Sequence, residues 1–343
     1  FCWVNDFAKA RQFAFDQVPK EFDYVLWLDF DDVLSDKEAF IHFRDNSLHC
    51  AEQWLVNYNY AFDENGQPSC TFFRERIVKN GMFEWKFFLH EGLVKIDSDK
   101  NIHTQVIPSF SIIHRRTSQD IEADKGRTVA IFTDHLKRGT EFEPRMSYYY
   151  GKELHDAGRS LEAIEILHDV LTKHGHELEK HDRLMTIQYL SMAYGACGKW
   201  AESLQMSLQG FQLHPERAEF WILAGDAQLQ LGKLREAVPF YEGATKCADV
   251  SVNGLTFTDP KARSLYPHVQ LAQIYKSIQD LKALENEVLI LEGINAPQAA
   301  EFRAFLEQAA ELSKIPTPTD LIETDDIIFT SPPQMPVTDW DEN

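Results

Sequence analysis

Tyr24-Val25-Leu26-Trp27-Leu28-Asp29-Phe30-Asp31-Asp32 is an apolar run that breaks into three carboxylates within four positions. A short, wholly apolar stretch fits a strand covered on both faces, as in parallel α/β sheets. The acidic cluster then falls at the strand's C-terminal end, where open α/β sheets bind ligands. Carboxylates this close repel one another, and a bound Mg²⁺ or Mn²⁺ relieves the repulsion because hard cations take oxygen ligands. An acidic helix cap, with Glu38 in the following helix, explains the same residues. Taken alone, the cluster leaves the two readings equal.

Upstream, Phe7, Ala10, Phe13 or Ala14, and Val18 recur at helical spacing over residues 6–18, with Asn5 or Asp6 as N-cap. The chain starts at Phe1, on the threshold of this helix, so the natural protein is expected to extend further toward the N-terminus. Downstream, a second short helix is predicted over 36–48. Residues 53–62 alternate as a strand does, and Asp63-Glu64-Asn65-Gly66 predicts a turn. Thr71–Val78, Gly92–Ile96 and Ser109–His114 supply further strands, so residues 1–120 are expected to be mixed α/β.

The texture then changes. Residues 121–144 are expected to connect, and from Arg145 strand signals vanish. Tyr150-Gly151, Leu154, Gly158, Ala163, Leu167 and Val170 form a skeleton that returns as Leu190-Ser191, Tyr194 and Gly198, closed by Pro215. It returns again as Trp221, Ala224-Gly225, Gly232, Ala237, Tyr241 and Ala244. This pattern resembles the tetratricopeptide repeat, whose small residues let paired helices pack closely. Leu271-Ala272 and Tyr275 begin a degenerate fourth copy after the insert 250–267, so 145–314 is predicted to be an all-α solenoid. Trp221 and Tyr241 belong to the skeleton and are expected in its core. Residues 315–343 are acidic and proline-bearing, and predict a linker or, at Ile327-Ile328-Phe329, the first strand of a further domain.

Thirty-four Lys plus Arg stand against 54 Asp plus Glu, a formal charge of -20. Such a surface repels phosphate backbones and anionic lipid, which excludes nucleic acid as the main partner. Cys2, Cys50, Cys70, Cys197 and Cys247 are scattered without a CxxC pair, as expected of reduced thiols in a cytoplasmic protein. No apolar run is long enough to span a membrane.

Ala10-Arg11-Gln12-Phe13-Ala14, a spacer, and then Trp27-Leu28-Asp29-Phe30-Asp31-Asp32 resemble the family 2 glycosyltransferases of the GT-A fold. The match departs from that family's "A-R-N-x-A" helix only at Gln12, and it covers roughly residues 1–120. Phe83-Glu84-Trp85, followed by His90-Glu91, resembles the family's "F-x-W-x-x-x-x-H-E" after an arginine-rich strand, here Arg74 and Arg76. The resemblance implies a partial GT-A, Rossmann-like sheet, since the family's first strand and nucleotide loop are not in this chain. It implies that Asp29 and Arg11 contact a UDP-type nucleotide-sugar, and that Asp31 and His114 hold Mn²⁺ or Mg²⁺, with His90 a weaker alternative. Glu91 is the candidate base, rivalled by Glu84 and Asp32. A carboxyl set beside aromatic rings is tuned toward neutrality, which suits a base; pairing with a nearby Arg or Lys is the structural alternative for Glu91.

The function expected is inverting, metal-dependent glycosyl transfer to a protein or glycan acceptor, with the repeats recognising that acceptor or a protein partner. The alternative is a tetratricopeptide scaffold bearing an inactive transferase remnant. A nucleotidyl-transfer enzyme would need a glycine-rich phosphate loop, which these residues lack. The histidines at 155, 168, 174, 176 and 181 are expected as solvated helix residues rather than a metal site.

Overall fold

The computed structural model describes residues 1–62, 66, 68–115, 126–247 and 264–312. Residues 63–65 of the turn predicted at 63–66, the start of the 121–144 connector, most of the 250–267 insert and the tail from 315 lie outside the described residues.

Helix α1 (Phe7–Asp16) begins where the Asp6 carboxylate accepts the Lys9 amide, occupying one of the amides that a first turn leaves free. Strand β1 (Tyr24–Leu26) and strand β2 (Asp32–Leu34) flank the acidic cluster, and Asp36 caps helix α2 (Lys37–Asn46) in the same way as Asp6 caps α1. Strands β3 (Gln53–Phe62), β4 (Pro68–Lys79), β5 (Phe83–Lys86), β6 (Gly92–Lys95) and β7 (Thr104–His114) follow.

Five strands form one sheet in the order β1-β4-β3-β7-β2, and β5 pairs with β6 separately. Within the larger sheet only β3 and β7 run parallel; the other neighbours are antiparallel. The parallel, Rossmann-like sheet expected from Tyr24–Leu28 is therefore corrected to a mixed, mainly antiparallel one. The run supplies a three-residue edge strand and leaves Leu28 exposed. Its apolar character serves another purpose, because Val25 packs inward and Trp27 is buried beneath arginines. Alternation in β3 buries Trp54, Val56 and Tyr58 against Ile77, Ile107, Ile112 and Phe43.

The second half is helical throughout its described residues. Helix α3 (Arg127–Lys137) precedes four pairs: α4 (Pro144–Asp156) with α5 (Ser160–His174), α6 (Lys180–Ala196) with α7 (Trp200–Leu213), α8 (Ala218–Gln230) with α9 (Leu234–Lys246), and α10 (Tyr266–Ser277) with α11 (Leu281–Gly293). Helix α12 (Ala299–Leu312) closes the array. The expected repeat register is realised at its turns, where Gly158, Gly198 and Gly232 have φ of 78°, 71° and 76°. Glycine adopts this left-handed backbone without strain. The fourth turn takes the same left-handed backbone at Gln279, φ 58°, so that copy keeps the turn without the glycine. Tyr241 is fully buried, as expected of a skeleton residue, whereas Trp221 stays partly exposed and donates to the Pro215 carbonyl.

The two halves share a core. Leu89 clusters with Phe132, Met146 and Leu154, and Phe88 stacks on His135 with centroids 3.8 Å apart. The loop that makes these contacts carries Phe87 at φ 70° and His90 at φ 49°, backbone that non-glycine residues seldom adopt.

Candidate functional site

Asp32 is the pivot of the acidic cluster. Its side chain is fully buried and lies 2.9 Å from Nη1 of Arg76, which is equally buried. Tyr58 donates its hydroxyl to Oδ1 at 2.8 Å, the Asp29 amide donates to Oδ2 at 3.0 Å, and His114 Nδ1 lies 3.1 Å from Oδ1. Burial alone would push this carboxyl up. The hydrogen bond with His114, the Arg76 charge, the Asp29 amide and the Tyr58 hydroxyl outweigh it and hold Asp32 below the usual carboxylate range.

Arg76 reaches this position because β4 turns it inward, between the rings of Trp27 at 3.9 Å and Tyr58 at 4.2 Å. None of its nitrogens makes an aligned hydrogen bond, so the aromatic faces and the Asp32 charge are what compensate the guanidinium. Burial draws Arg76 down despite Asp32.

Asp31 faces outward, one fifth exposed, with Oδ1 3.6 Å from His114 Nδ1. One ligand atom from each of Asp31, Asp32 and His114 fits within 4.8 Å, the metal-capable group found among the described residues. Two carboxylates and an imidazole suit Mn²⁺ or Mg²⁺. Tyr60 stacks on His114 at 5.2 Å and 6° between planes, fixing the imidazole from the open side. Phe30, between the carboxylates, stands fully exposed.

A second cluster adjoins the first. Arg11 places Nη2 2.8 Å from Asp29 Oδ1 and donates from Nε to Glu91 Oε1 at 2.7 Å. Although burial works against its charge, Glu91 and Asp29 raise the Arg11 pKa further. The rings of Trp27 and Trp85 flank Arg11 at 4.7 and 5.2 Å. Arg74 donates to the Glu91 carbonyl at 3.0 Å.

The predicted residues thus meet in two linked groups, Asp31–Asp32–His114 and Arg11–Asp29–Glu91. The apolar setting expected for Glu91 is corrected, because its carboxylate faces Arg11. Glu84 pairs with Lys86 on the small sheet, and His90 turns to Glu153 of the first repeat at 3.0 Å and stacks on Tyr149. Neither joins the metal-capable group of Asp31, Asp32 and His114. Asp32 is an anchor rather than a rival base. Sequence reading missed Tyr58 and Arg76 as its holders; the available signal was an arginine at an inward-facing strand position.

No protein-family model and no curated protein matches the chain. Similar solved structures include BtubC from P. vanneervenii, at 16% identity over 62% of this chain and 84% of its own, with TM-score 0.41. The thermophilic TPR protein TTC0263 of Thermus thermophilus matches at 18% identity over 56% and 93%, with TM-score 0.36. The TPR-like repeats of a Podosopora anserina kinesin light chain match at 20% identity over 50% and 97%, with TM-score 0.35. No helix among the described residues is long and apolar enough to cross a membrane.

Proposed function

We propose that the chain is a helical-repeat protein that binds a polypeptide partner and carries, on its sheet, a divalent-cation site for inverting glycosyl transfer from a UDP-type sugar donor. One observation supports the transferase half: Asp32 and His114, 82 positions apart, converge with Asp31 into a single donor set. Asp31 and His114 would hold the Mn²⁺ or Mg²⁺, which would supply positive charge for a leaving diphosphate. Asp32 keeps His114 and the Asp29 backbone in place. Arg11 orients Asp29 toward the nucleotide, and Glu91, released from Arg11 by the incoming acceptor, takes the proton of its hydroxyl.

Calorimetry with UDP-glucose, in Mn²⁺ and in EDTA, tests this. Binding that needs Mn²⁺ and is lost in Asp31→Ala is expected. Unchanged binding in that variant removes the assignment. A second reading, a binding scaffold without catalysis, is favoured by the 2.7 Å pairing that already occupies Glu91; it predicts no metal-dependent donor binding at all.

A further inference from the structure

The repeats contain a carboxylate that the sheet site does not use. Asp226 sits half-buried on α8, and both nearby phenols, Tyr241 at 2.5 Å and Tyr266 at 2.9 Å, donate to its Oδ1. No hydrogen-bond donor to Oδ2 and no cation pairing with Asp226 occur among the described residues. A cleft of about 510 Å³ opens beside it between α4, α6, α7, α8 and α10, lined by His155, Met192, Trp200, Leu223, Gln230 and Gln270 as well as Asp226 and Tyr266. A charge removed from water is costly unless an opposite charge meets it, and two hydroxyls on one oxygen leave that partner to be supplied. Burial accordingly pushes the Asp226 carboxyl above its usual range, against the two phenol hydrogen bonds.

We propose that this cleft docks a basic side chain, lysine or arginine, of a partner polypeptide, with Asp226 as counter-ion. Charge complementarity carries the choice of occupant: the free oxygen accepts an ammonium or guanidinium. Trp200, Met192 and Leu223 then pack the aliphatic stem, which buries apolar surface while the charged head is neutralised. Gln230 and Gln270 supply amide groups for the peptide backbone at the rim. The inference rests on the partner-binding half of the proposed function and is independent of the transferase half.

The test uses the full chain and fluorescent nonapeptides that differ only in a central Lys, Arg, norleucine or Glu. Lys and Arg peptides should bind about tenfold or more tighter than the norleucine peptide, the scale of a close interfacial charge pair. Asp226→Asn, whose side-chain carbonyl still accepts both phenols, should erase that preference while melting no earlier than the parent. Tyr266→Phe withdraws one donor from Asp226, frees charge for the ligand, and should tighten the Lys peptide, a response that a merely structural aspartate would not produce. Equal binding of all four peptides, or a Lys preference unchanged in Asp226→Asn, overturns the cleft assignment. Spermidine competing as well as the Lys peptide overturns the polypeptide as occupant. Absence of any peptide binding overturns both the cleft and the partner-binding reading, whereas loss of Mn²⁺-dependent donor binding touches neither.

Discussion

Asp32 in the sheet and Asp226 in the repeats are both aspartates drawn out of water, and their surroundings move them in opposite directions. Asp32 meets a guanidinium, an imidazole, an amide and a phenol, and it titrates low. Among the described residues Asp226 meets two phenols and no cation, and it titrates high. Burial pushes both carboxyls up, so the direction is decided by what each one meets. What separates them is whether an opposite charge is built in. The sheet uses arginines boxed by aromatic rings to hold its carboxylate ready in place. The repeats are held by small-residue interdigitation, and Asp226 is left to be completed from outside.

The sharpest way to break this contrast is Arg76→Met. It leaves Asp32 buried without its guanidinium and should cost about 3–5 kcal/mol in urea unfolding. A loss under about 1 kcal/mol would show that the phenol, amide and imidazole suffice. In the repeats the largest effect should be steric. A Cβ on Gly210 would run into the Phe220 ring, so Gly210→Ala should cost about 1–3 kcal/mol by the same assay.

Glu153, at the seam between the halves, gives an intermediate case. Burial pushes it up, yet the hydrogen bond from His90 and the Lys152 charge bring it down to about 2. A depressed folded pKa stabilises above the unfolded value and loses that contribution as pH falls through the folded one. Glu153→Gln should therefore cost about 2 kcal/mol at neutral pH, with the gap to the parent closing between about pH 4.5 and 2 in thermal melts. Asp226→Asn should give the smallest change, with the opposite sign. Its raised folded pKa favours the fold below the unfolded value, and that contribution is lost as pH rises through the folded one. At pH 7 the variant should thus melt slightly higher than the parent, and the gain should vanish near pH 3.

Much of the repeat array was legible along the chain. Glycines at 158, 198 and 232 mark turns by a backbone preference that belongs to the residue itself, and local spacing carries the helices between them. The residues of the acidic site were legible too, as a motif resemblance: Arg11, Asp29, Asp31, Glu91 and His114 do assemble. Their pairings were not. Glu91 facing Arg11, His90 turning to Glu153, and Asp32 becoming an anchor all depend on which strand lies beside which, and the order β1-β4-β3-β7-β2 is set by long-range pairing that no local pattern encodes.

Tyr24–Asp32 shows the division within one segment. The sequence alone determined an apolar run ending in three carboxylates. Only the tertiary structure decided that the strand is a short antiparallel edge, and that Arg76 from β4 neutralises Asp32 while Asp31 stays open. The physical reason is that hydrophobicity acts through each residue's own surface, whereas the worth of a charge depends on a partner that the chain brings from elsewhere.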